Sequence, residues 1–339
     1  PVPELDDRFP VRLVLELDYA ADLGREEFLF AVDAGSVTLT GRTEQAVYHA
    51  VYWFLETWVG VRWLWPGRDG EVVPSTDCIS LPVGRWREQP DFAWRAVASG
   101  GAVDEALDVN TSLHARRKLP LDYTEEFELW CRRNRFGGLS VADGHRWSEI
   151  APAERYGAAH PEYYALSGGR RDAAPGDGKH GNQPCLSHVE VARIIADYVT
   201  AEFRAERTLD AVSISPNDGG DACECEECRV TDREAGAEDV TAAEDFDYLE
   251  DSDDESDRPH AITDRLFRMA NRVARIVGRR FPDRLLLTHL YGRYRTPPVA
   301  HDLDPRVIGQ YCVMGCGFHN ALLEKRELDR LSGFAGRVS

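Results

Sequence analysis

The stretch AVSISPNDGGDACECEEC, Ala211 to Cys228, joins a short strand, a turn and a cysteine cluster. Val212 and Ile214 alternate with Ser213 and Ser215, which predicts a strand with one apolar face and one face of small polar side chains. Ligands of parallel α/β sheets bind beyond the carboxyl ends of the strands. The residues that follow this strand are therefore the first candidates for a functional site.

Asn217 and Asp218 follow the strand at once, and Gly219 and Gly220 can adopt the positive φ angles of a tight turn. A carboxylic acid at this place could donate a proton, while the neighbouring amide orients a substrate. The structural alternative is an Asx turn, in which Asp218 bonds its own backbone and takes no part in chemistry. Both interpretations stay open at the level of the sequence.

Composition indicates a globular chain. The 339 residues are 43% hydrophobic and include eight Trp and twelve Tyr, enough for a full core and for two domains. We expect no membrane span, because no apolar run approaches the ~18 residues that one needs. The segment from Pro1 has no initiator Met and no signal-peptide pattern, so the sequence does not decide between a cytoplasmic and an exported protein.

The formal net charge is −19, and almost all cations are arginines. This composition resembles that of halophilic proteins, in which a dense carboxylate surface keeps the molecule hydrated. We expect no nucleic acid partner, because such a surface repels phosphates. The carboxylate run at 238–257 is predicted to be a solvated acidic insertion.

Two domains are predicted. Residues 1–89 read as a small α+β domain, in which three strands over residues 11–40 precede a helix from Glu44 to Val59. Strands and helices alternate over residues 90–339, which predicts a parallel α/β sheet. The predicted helices there cover 124–133, 188–206 and 261–280, and the predicted strands cover 92–98, 138–141, 212–215, 285–290 and 307–311.

Several motifs occur together in one order. They are AVYHAVYWFLETWVGVRWLWPG at 46–67, HPEYYAL at 160–166, CLS at 185–187, SPNDGG at 215–220 and CECEEC at 223–228. The first resembles the N-terminal accessory domain of α-glucuronidases and β-hexosaminidases. The series resembles the family called domain of unknown function 4838. Part of that family is glycoside hydrolase family 163, whose characterised activity is that of an endo-β-N-acetylglucosaminidase acting on N-glycans.

The resemblance implies a (β/α)8 TIM-type barrel behind the α+β domain. About five or six strands can be counted instead of eight, so we expect a barrel that is incomplete at its C-terminal side or that finishes with elements the pattern does not reveal. It also implies retaining hydrolysis of a glycan that contains N-acetylglucosamine, with Asp218 as the acid, Asn217 beside it, and no required cofactor. The alternative is a non-catalytic glycan-binding or cell-surface module on the same scaffold.

Further polar and aromatic residues fall at predicted strand ends. They are candidates for binding the glycan substrate: Asp143, His145, Trp147, His289 and Tyr291. Each of them also has an ordinary structural alternative, namely hydrogen bonding for the histidines and core packing for the aromatic rings.

Cys223, Cys225 and Cys228 form a C-x-C-x-x-C pattern. Thiolates so close in sequence could bind a structural zinc ion if a fourth ligand is present. Cys185 is one candidate for that ligand, and the further candidates are Cys312, Cys316 and His319. A disulfide with Cys185, or four reduced thiols, are equally open alternatives.

Overall fold

The computed structural model describes residues 11–15, 22–75, 78–96, 121–171, 183–217, 222–236, 262–313 and 321–338. The chain divides into two compact units, Pro1–Ser140 and Val141–Ser339. The strands are β1 (Val11–Leu15), β2 (Phe28–Asp33), β3 (Ser36–Gly41), β4 (Arg62–Trp63), β5 (Glu71–Val72), β6 (Gly84–Glu88), β7 (Trp94–Arg95), β8 (Gly137–Gly138), β9 (Val141–Ala142), β10 (Leu166–Ser167), β11 (Arg170–Arg171), β12 (Ala211–Ser213), β13 (Leu285–Leu290) and β14 (Val307–Tyr311). The helices are α1 (Glu44–Phe54), α2 (Leu121–Arg133), α3 (Trp147–Ile150), α4 (Ala153–Tyr156), α5 (Val189–Ala205), α6 (Glu226–Ala235), α7 (Ile262–Val277) and α8 (Ala321–Gly333).

The first unit contains a four-stranded mixed sheet in the order β1-β3-β2-β6. Strand β3 runs parallel to β1 and antiparallel to β2, and β2 pairs antiparallel with β6. Helix α1 begins after Thr43, whose side chain accepts a hydrogen bond from the backbone N–H of Ala46. A π-helical turn, Leu55–Val59, continues α1 and ends at Gly60, whose φ of 85° is a left-handed cap. The predicted helix over 44–59 is confirmed.

Aromatic rings fill the space between this sheet and α1. Phe30 is fully buried, with its ring centroid 5.3 Å from Trp53 and 5.6 Å from Phe54. Trp86 of β6 completes the contact from the neighbouring strand. Buried aromatic side chains remove large apolar areas from water, so this cluster stabilises the unit.

The boundary between the units lies after Ser140, whereas the sequence pattern predicts a domain boundary after Gln89. The reason is the pairing of β7 with β8 and the ion pair of Arg95 with Glu26, 2.7 Å apart. The ion pair holds Arg95 to a residue before Gln89, and the pairing of β7 with β8 extends this connection to residues 137–138. The division into domains 1–89 and 90–339 stays a prediction about the family domains.

The second unit contains a four-stranded sheet in the order β14-β13-β12-β9. All three strand pairs are parallel, which confirms an α/β architecture. The strands that the structure describes in this unit do not close into a barrel. The (β/α)8 arrangement therefore remains a matter for proposal.

Helices α5 and α7 supply half of the buried residues in the main core cluster of the second unit. Val212 and Ile214, the apolar face predicted for β12, are buried in one cluster with α5 and α7 residues such as Ile195 and Phe267. The alternation read from the sequence is confirmed. Among the helices of the described residues, none combines the length and the apolar character that a membrane crossing requires.

Candidate functional site

The carboxyl ends of three neighbouring parallel strands bring polar side chains to one edge of the second sheet. Ala211 of β12 stands in register with Val141 of β9 and Leu285 of β13. The residues after β9 and those at the end of β13 therefore flank the segment that follows β12. We refer to Asp143, His145, Asn217, His289 and Tyr291 as the strand-end cluster.

Asp143 and His289 form the ionic contact of this cluster. Asp143 Oδ1 lies 2.8 Å from His289 Nε2 and accepts a hydrogen bond of 2.7 Å from the backbone N–H of Gly144. Burial acts to raise the pKa of Asp143, but the hydrogen bond and the charge of His289, the Gly144 amide and Arg146 together lower it. Asp143 is therefore an ionised carboxylate, 20% exposed, held toward the histidine.

His145 is fixed by the backbone of the neighbouring strand segment. Its Nδ1 lies 2.7 Å from the carbonyl oxygen of Pro216, and a carbonyl only accepts, so this nitrogen carries a proton. The ring stands edge-on to His289 at a centroid distance of 4.9 Å and lies 5.8 Å from the ring of Tyr291. Four of the five residues predicted to bind substrate are thus brought together: Asp143, His145, His289 and Tyr291.

Trp147 does not join them. It is 1% exposed and packs in the core, where its ring meets Tyr164 edge-on at 5.8 Å. The cause is helix α3, which begins at Trp147 and turns the indole away from the strand ends. No face is left for a sugar ring, so core packing, the alternative reading of this residue, describes it in this structure.

Two serines of the opening stretch, Ser213 and Ser215, hold the strand-end cluster in place by hydrogen bonds. Ser213 donates to the carbonyl oxygen of Gly144 at 2.7 Å, and Ser215 accepts from the backbone N–H of His289 at 2.9 Å. The two hydroxyls lie 2.9 Å apart and are completely buried. They link the segments after β9 and β12 with β13, which fixes the spacing of Asp143 and His289.

Asn217 is 4% exposed and is held by residues that the sequence analysis did not single out. Its Oδ1 accepts from the backbone N–H of Ser148 at 3.1 Å, and its Nδ2 donates to the Ser148 hydroxyl at 2.9 Å. Gln183 donates from Nε2 to the carbonyl oxygen of Asn217 at 2.8 Å. These contacts anchor the chain one residue before Asp218, which itself lies outside the described residues.

The four cysteines predicted as metal ligands or disulfide partners also meet. Cys185, Cys223, Cys225 and Cys228 are buried, and their sulfur atoms all lie within 4.8 Å of one another. The hydrogen bond with Cys185 lowers the pKa of Cys223, and the same contact raises the pKa of Cys185. Of the other candidate ligands, Cys312 lies outside this group, and Cys316 and His319 fall outside the described residues.

Several hydrogen-bond partners of these residues carry no signal in the sequence. Arg265 of α7 donates to both carboxylate oxygens of Asp232 and, at 2.6 Å, to the carbonyl oxygen of Cys223. An Arg in an amphipathic helix is ordinarily taken for a surface residue, yet Arg265 is 1% exposed. Ser148 and Gln183 are equally inconspicuous, because their partners are distant in the sequence.

The fold and this cluster define an α/β protein with a polar site at the carboxyl edge of a parallel sheet. The family described as domain of unknown function (DUF4838) matches residues 65–336. This match spans most of the chain, so the chain belongs to that family, and the resemblance drawn from the motifs is confirmed. No curated protein matches the chain.

Solved structures whose backbone matches that of this chain include three glycoside hydrolases. The β-N-acetylhexosaminidase of Bacteroides fragilis is 11% identical with a TM-score of 0.41, and the match covers 98% of this chain and 63% of that one. The family 89 glycoside hydrolase of Clostridium perfringens is 9% identical with a TM-score of 0.42 over 89% and 37%. The chitobiase of Flavobacterium johnsoniae is 12% identical with a TM-score of 0.42 over 96% and 47%. The chain thus spans between 37% and 63% of the length of these structures.

Proposed function

We propose that this protein hydrolyses a glycosidic bond at the strand-end cluster. The observation that carries the proposal is the meeting of an ionised carboxylate, two histidines and a tyrosine at the carboxyl edge of three parallel strands, beside the anchored segment that leads to Asp218. Glycoside hydrolysis needs a carboxylic acid near the leaving oxygen and negative charge near the developing cation. Asp218 and Asp143 are the residues proposed for these two tasks.

We assign the acid role to Asp218 and a positioning role to Asn217. Asp218 donates a proton to the departing glycoside oxygen as the bond to C1 breaks. Asn217, through its contacts with Ser148 and Gln183, anchors the chain one residue before Asp218. The amide of Asn217 is engaged by Ser148 in this structure, so its effect on the substrate is proposed to be indirect.

The substrate class proposed is a glycan that contains N-acetylglucosamine, cleaved with retention as by an endo-β-N-acetylglucosaminidase. In such a reaction the acetamido oxygen of the substrate attacks C1 as the protonated leaving group departs. Water then opens the cyclic intermediate and gives its proton back to Asp218. Asp143, held by His289, would stabilise the positive charge that develops on the sugar.

A (β/α)8 barrel is the finer fold that we propose around this site. The four parallel strands that the structure describes have their polar residues on the edge where such barrels place their active sites. The motif resemblance to glycoside hydrolase family 163 favours the same arrangement. A zinc ion is not assigned any step of the reaction.

The test compares Asp218→Asn with the wild-type chain on two substrates, an unactivated glycan and an aryl glycoside with a good leaving group. General acid catalysis typically contributes ~10²–10⁴-fold, so hydrolysis of the glycan should fall by about that factor, while the aryl glycoside, which needs less protonation, should lose far less. Asp197→Asn, at an exposed position of α5, is the matched control and should keep full activity on both.

Equal and small losses of activity on both substrates would contradict the acid role and would favour the structural role of Asp218 in an Asx turn. Glycan binding by the wild-type chain with no turnover on any substrate would favour the non-catalytic glycan-binding module. One observation supports that alternative: Asp143 Oδ1 and the side-chain amide of Asn217 are hydrogen-bonded within the protein, to His289 and Ser148. Calorimetric titration with the glycan, run beside the activity assay, separates the two functions.

A further inference from the structure

The four buried cysteines of the second unit have the geometry of a metal centre. Cys185 Sγ lies 3.6 Å from Cys225 Sγ and 3.9 Å from Cys228 Sγ. A disulfide joins its sulfur atoms at ~2.05 Å, so neither pair is bonded. A tetrahedral zinc site with Zn–S bonds of ~2.3 Å places its sulfur atoms about 3.8 Å apart, between the two distances observed here.

The surroundings of the sulfur atoms suit a centre with negative charge. The backbone N–H of Leu166 donates to Cys223 Sγ at 3.3 Å. Two guanidinium groups lie close by: Arg171 is hydrogen-bonded to Cys225, and Arg265 donates to the carbonyl oxygen of Cys223 at 2.6 Å. Four thiolates around a divalent cation carry a charge of −2, and buried charge requires partners of opposite sign. The two arginines supply them, although Asp232 takes up part of the charge of Arg265.

Soft sulfur ligands in a tetrahedron select zinc or a single iron ion. An iron–sulfur cluster needs room for bridging sulfides between its thiolates, and sulfur atoms that all lie within 4.8 Å of one another do not leave that room. Among the single ions, zinc has no redox chemistry and takes four thiolates in closed structural sites. The arrangement therefore fits zinc best.

We propose that Cys185, Cys223, Cys225 and Cys228 bind one zinc ion in a closed, structural site. All four positions of the tetrahedron are filled by protein thiolates, so no position is open to water or substrate, and the ion braces the chain without catalysing. Binding releases the protons of the thiols that are not already ionised.

The site ties together elements that position the strand-end cluster. Cys185 lies just before α5, and Cys228 belongs to α6. Gln183, two residues before Cys185, donates to the carbonyl oxygen of Asn217. By holding Cys185, the ion thus fixes the segment from which Gln183 contacts Asn217. It also holds Cys223, which lies after residues 218–221. This part of the inference rests on the proposed function, whereas the binding of zinc does not.

The first experiment measures metal and thiols on the full chain, purified without a metal-binding tag and with zinc in the growth medium. We expect about one zinc per chain by elemental mass spectrometry, and all eight cysteines titratable under denaturing conditions with a chelator. Six titratable thiols without metal would mean a disulfide, and eight without metal would mean free thiols. Iron in place of zinc would overturn the choice of ion.

Single Cys→Ser variants locate the site. Cys225→Ser should lower the zinc content from about one per chain to near zero, while Cys78→Ser, at an exposed cysteine outside the cluster, should leave it unchanged. Zinc that stays at one per chain in Cys225→Ser would show that the metal is held elsewhere. Hydrolytic activity is measured separately, so a chain that holds zinc but lacks activity refutes the proposed function and leaves the metal site intact.

Cys225 is buried, so its replacement also changes packing, and cobalt therefore provides a readout on the unaltered chain. Zinc is removed with a chelator under denaturing conditions, and the chain is refolded with Co²⁺. A tetrahedral site of four thiolates gives intense visible absorption and thiolate-to-metal charge-transfer bands, which one equivalent of Zn²⁺ should abolish. Weak absorption, typical of six-coordinate cobalt with oxygen ligands, would contradict the site.

Discussion

His49 in the first unit and Arg265 in the second are equally buried, each 1% exposed, but they are accommodated in different ways. His49 Nε2 lies 3.9 Å from Glu26, beyond hydrogen-bond distance, and burial lowers the pKa of this histidine to about 4. Arg265 keeps its charge because Asp232 and the Cys223 carbonyl surround it. The first unit thus tolerates a polar group by neutralising it, and the second by pairing it.

This difference parallels the contents of the two units. In the first, aromatic rings around Phe30 fill the core. In the second, the paired groups lie beside the thiols and the strand-end cluster, where fixed positions matter for chemistry. Buried pairs contribute little net stability but are costly to break, so they serve geometry more than stability.

The largest effect is expected from breaking the buried pair of the second unit. Asp232→Asn keeps the shape of the side chain but removes the carboxylate charge that pairs with Arg265, and breaking a buried pair typically costs ~3–5 kcal/mol. Denaturant unfolding of both chains, with the zinc content measured in parallel, gives the loss. The matched control is Glu226→Gln on the same helix, whose exposed contact with Arg233 is worth at most about 1 kcal/mol. Equal losses in the two variants would contradict the comparison.

The next effect concerns His49 and pH. Its folded pKa of about 4 lies below the ordinary 6.5, so the unfolded chain binds the proton first as pH falls. The contribution of His49 to stability is therefore fully present above pH 6.5, and it is lost progressively as the pH falls to about 4. One pKa unit corresponds to ~1.4 kcal/mol, so the loss is about 3 kcal/mol. Glu26 opposes this shift, while Arg95 and Arg135 add to it.

His49→Leu removes the titrating group and keeps a buried side chain of similar size. Unfolding free energies measured at pH 7.5 and at pH 4.5 should differ less in this variant than in the wild-type chain. The subtraction cancels the contributions of all other groups that titrate in this window. An identical pH dependence in the two chains would show that His49 is protonated in the folded unit.

Much of this architecture could be predicted from local patterns. The apolar spacing along 44–59, with Thr43 before it and Gly60 after it, predicts the first helix to the residue at both ends. The alternation at Val212 and Ile214 predicts which face of β12 enters the core. Polar residues at strand ends predict that Asp143, His145 and His289 meet, because parallel strands end at a common edge.

What could not be predicted depends on contacts between distant segments. Nothing local distinguishes Arg265 from the other arginines of α7, since its partner Asp232 lies on a different helix. Trp147 shows the converse: its position in the sequence suggests a ligand contact, but a short helix turns it into the core. The order of Cys223, Cys225 and Cys228 suggests a metal, yet only the folded chain selects Cys185 as the fourth thiol.

A smaller effect is expected at the Asp143–His289 contact. Asp143→Asn removes the charge but leaves an oxygen that can still accept from His289, so we expect a loss of about 1–2 kcal/mol. The pKa of Asp143 is lowered, so its contribution is present above the ordinary value near ~3.9 and is lost only as pH falls below that value. At pH 4.5 most of the stability that depends on His49 is lost, while the contribution of Asp143 to stability is still present.

Urea unfolding of Asp143→Asn and of the wild-type chain should therefore show a loss of stability at pH 4.5 as well as at pH 7.5. Glu190→Gln, which alters an exposed contact with Arg193 on α5, is the control and should change stability by less than about 1 kcal/mol. A loss of stability in Asp143→Asn that is present at pH 7.5 but absent at pH 4.5 would mean that Asp143 is already protonated at pH 4.5. That result would contradict its lowered pKa.

The smallest effect is a dependence of stability on salt. The net charge of −19 implies self-repulsion in the folded chain, and screening shortens its range from ~10 Å at 0.1 M salt to ~3 Å at 1 M. The carboxylate run at 238–257 belongs to the sequence of the second unit, so that unit should respond more. If screening contributes about 1 kcal/mol, the melting temperature rises by ~2–4 °C in a unit of this size.

Calorimetry in NaCl and KCl from 0.1 to ~1 M tests this expectation, because both salts screen charge while neither is excluded from protein surfaces as strongly as sulfate. Screening also weakens the exposed ion pairs, such as Lys325 with Asp329, but each of these contributes at most about 1 kcal/mol. A rise in melting temperature with salt therefore means that the screening of charge repulsion outweighs the weakening of the exposed ion pairs. A melting temperature that is unchanged or lower at high salt would contradict the halophilic interpretation. The two units would then differ in how they accommodate buried polar groups, but not in their response to salt.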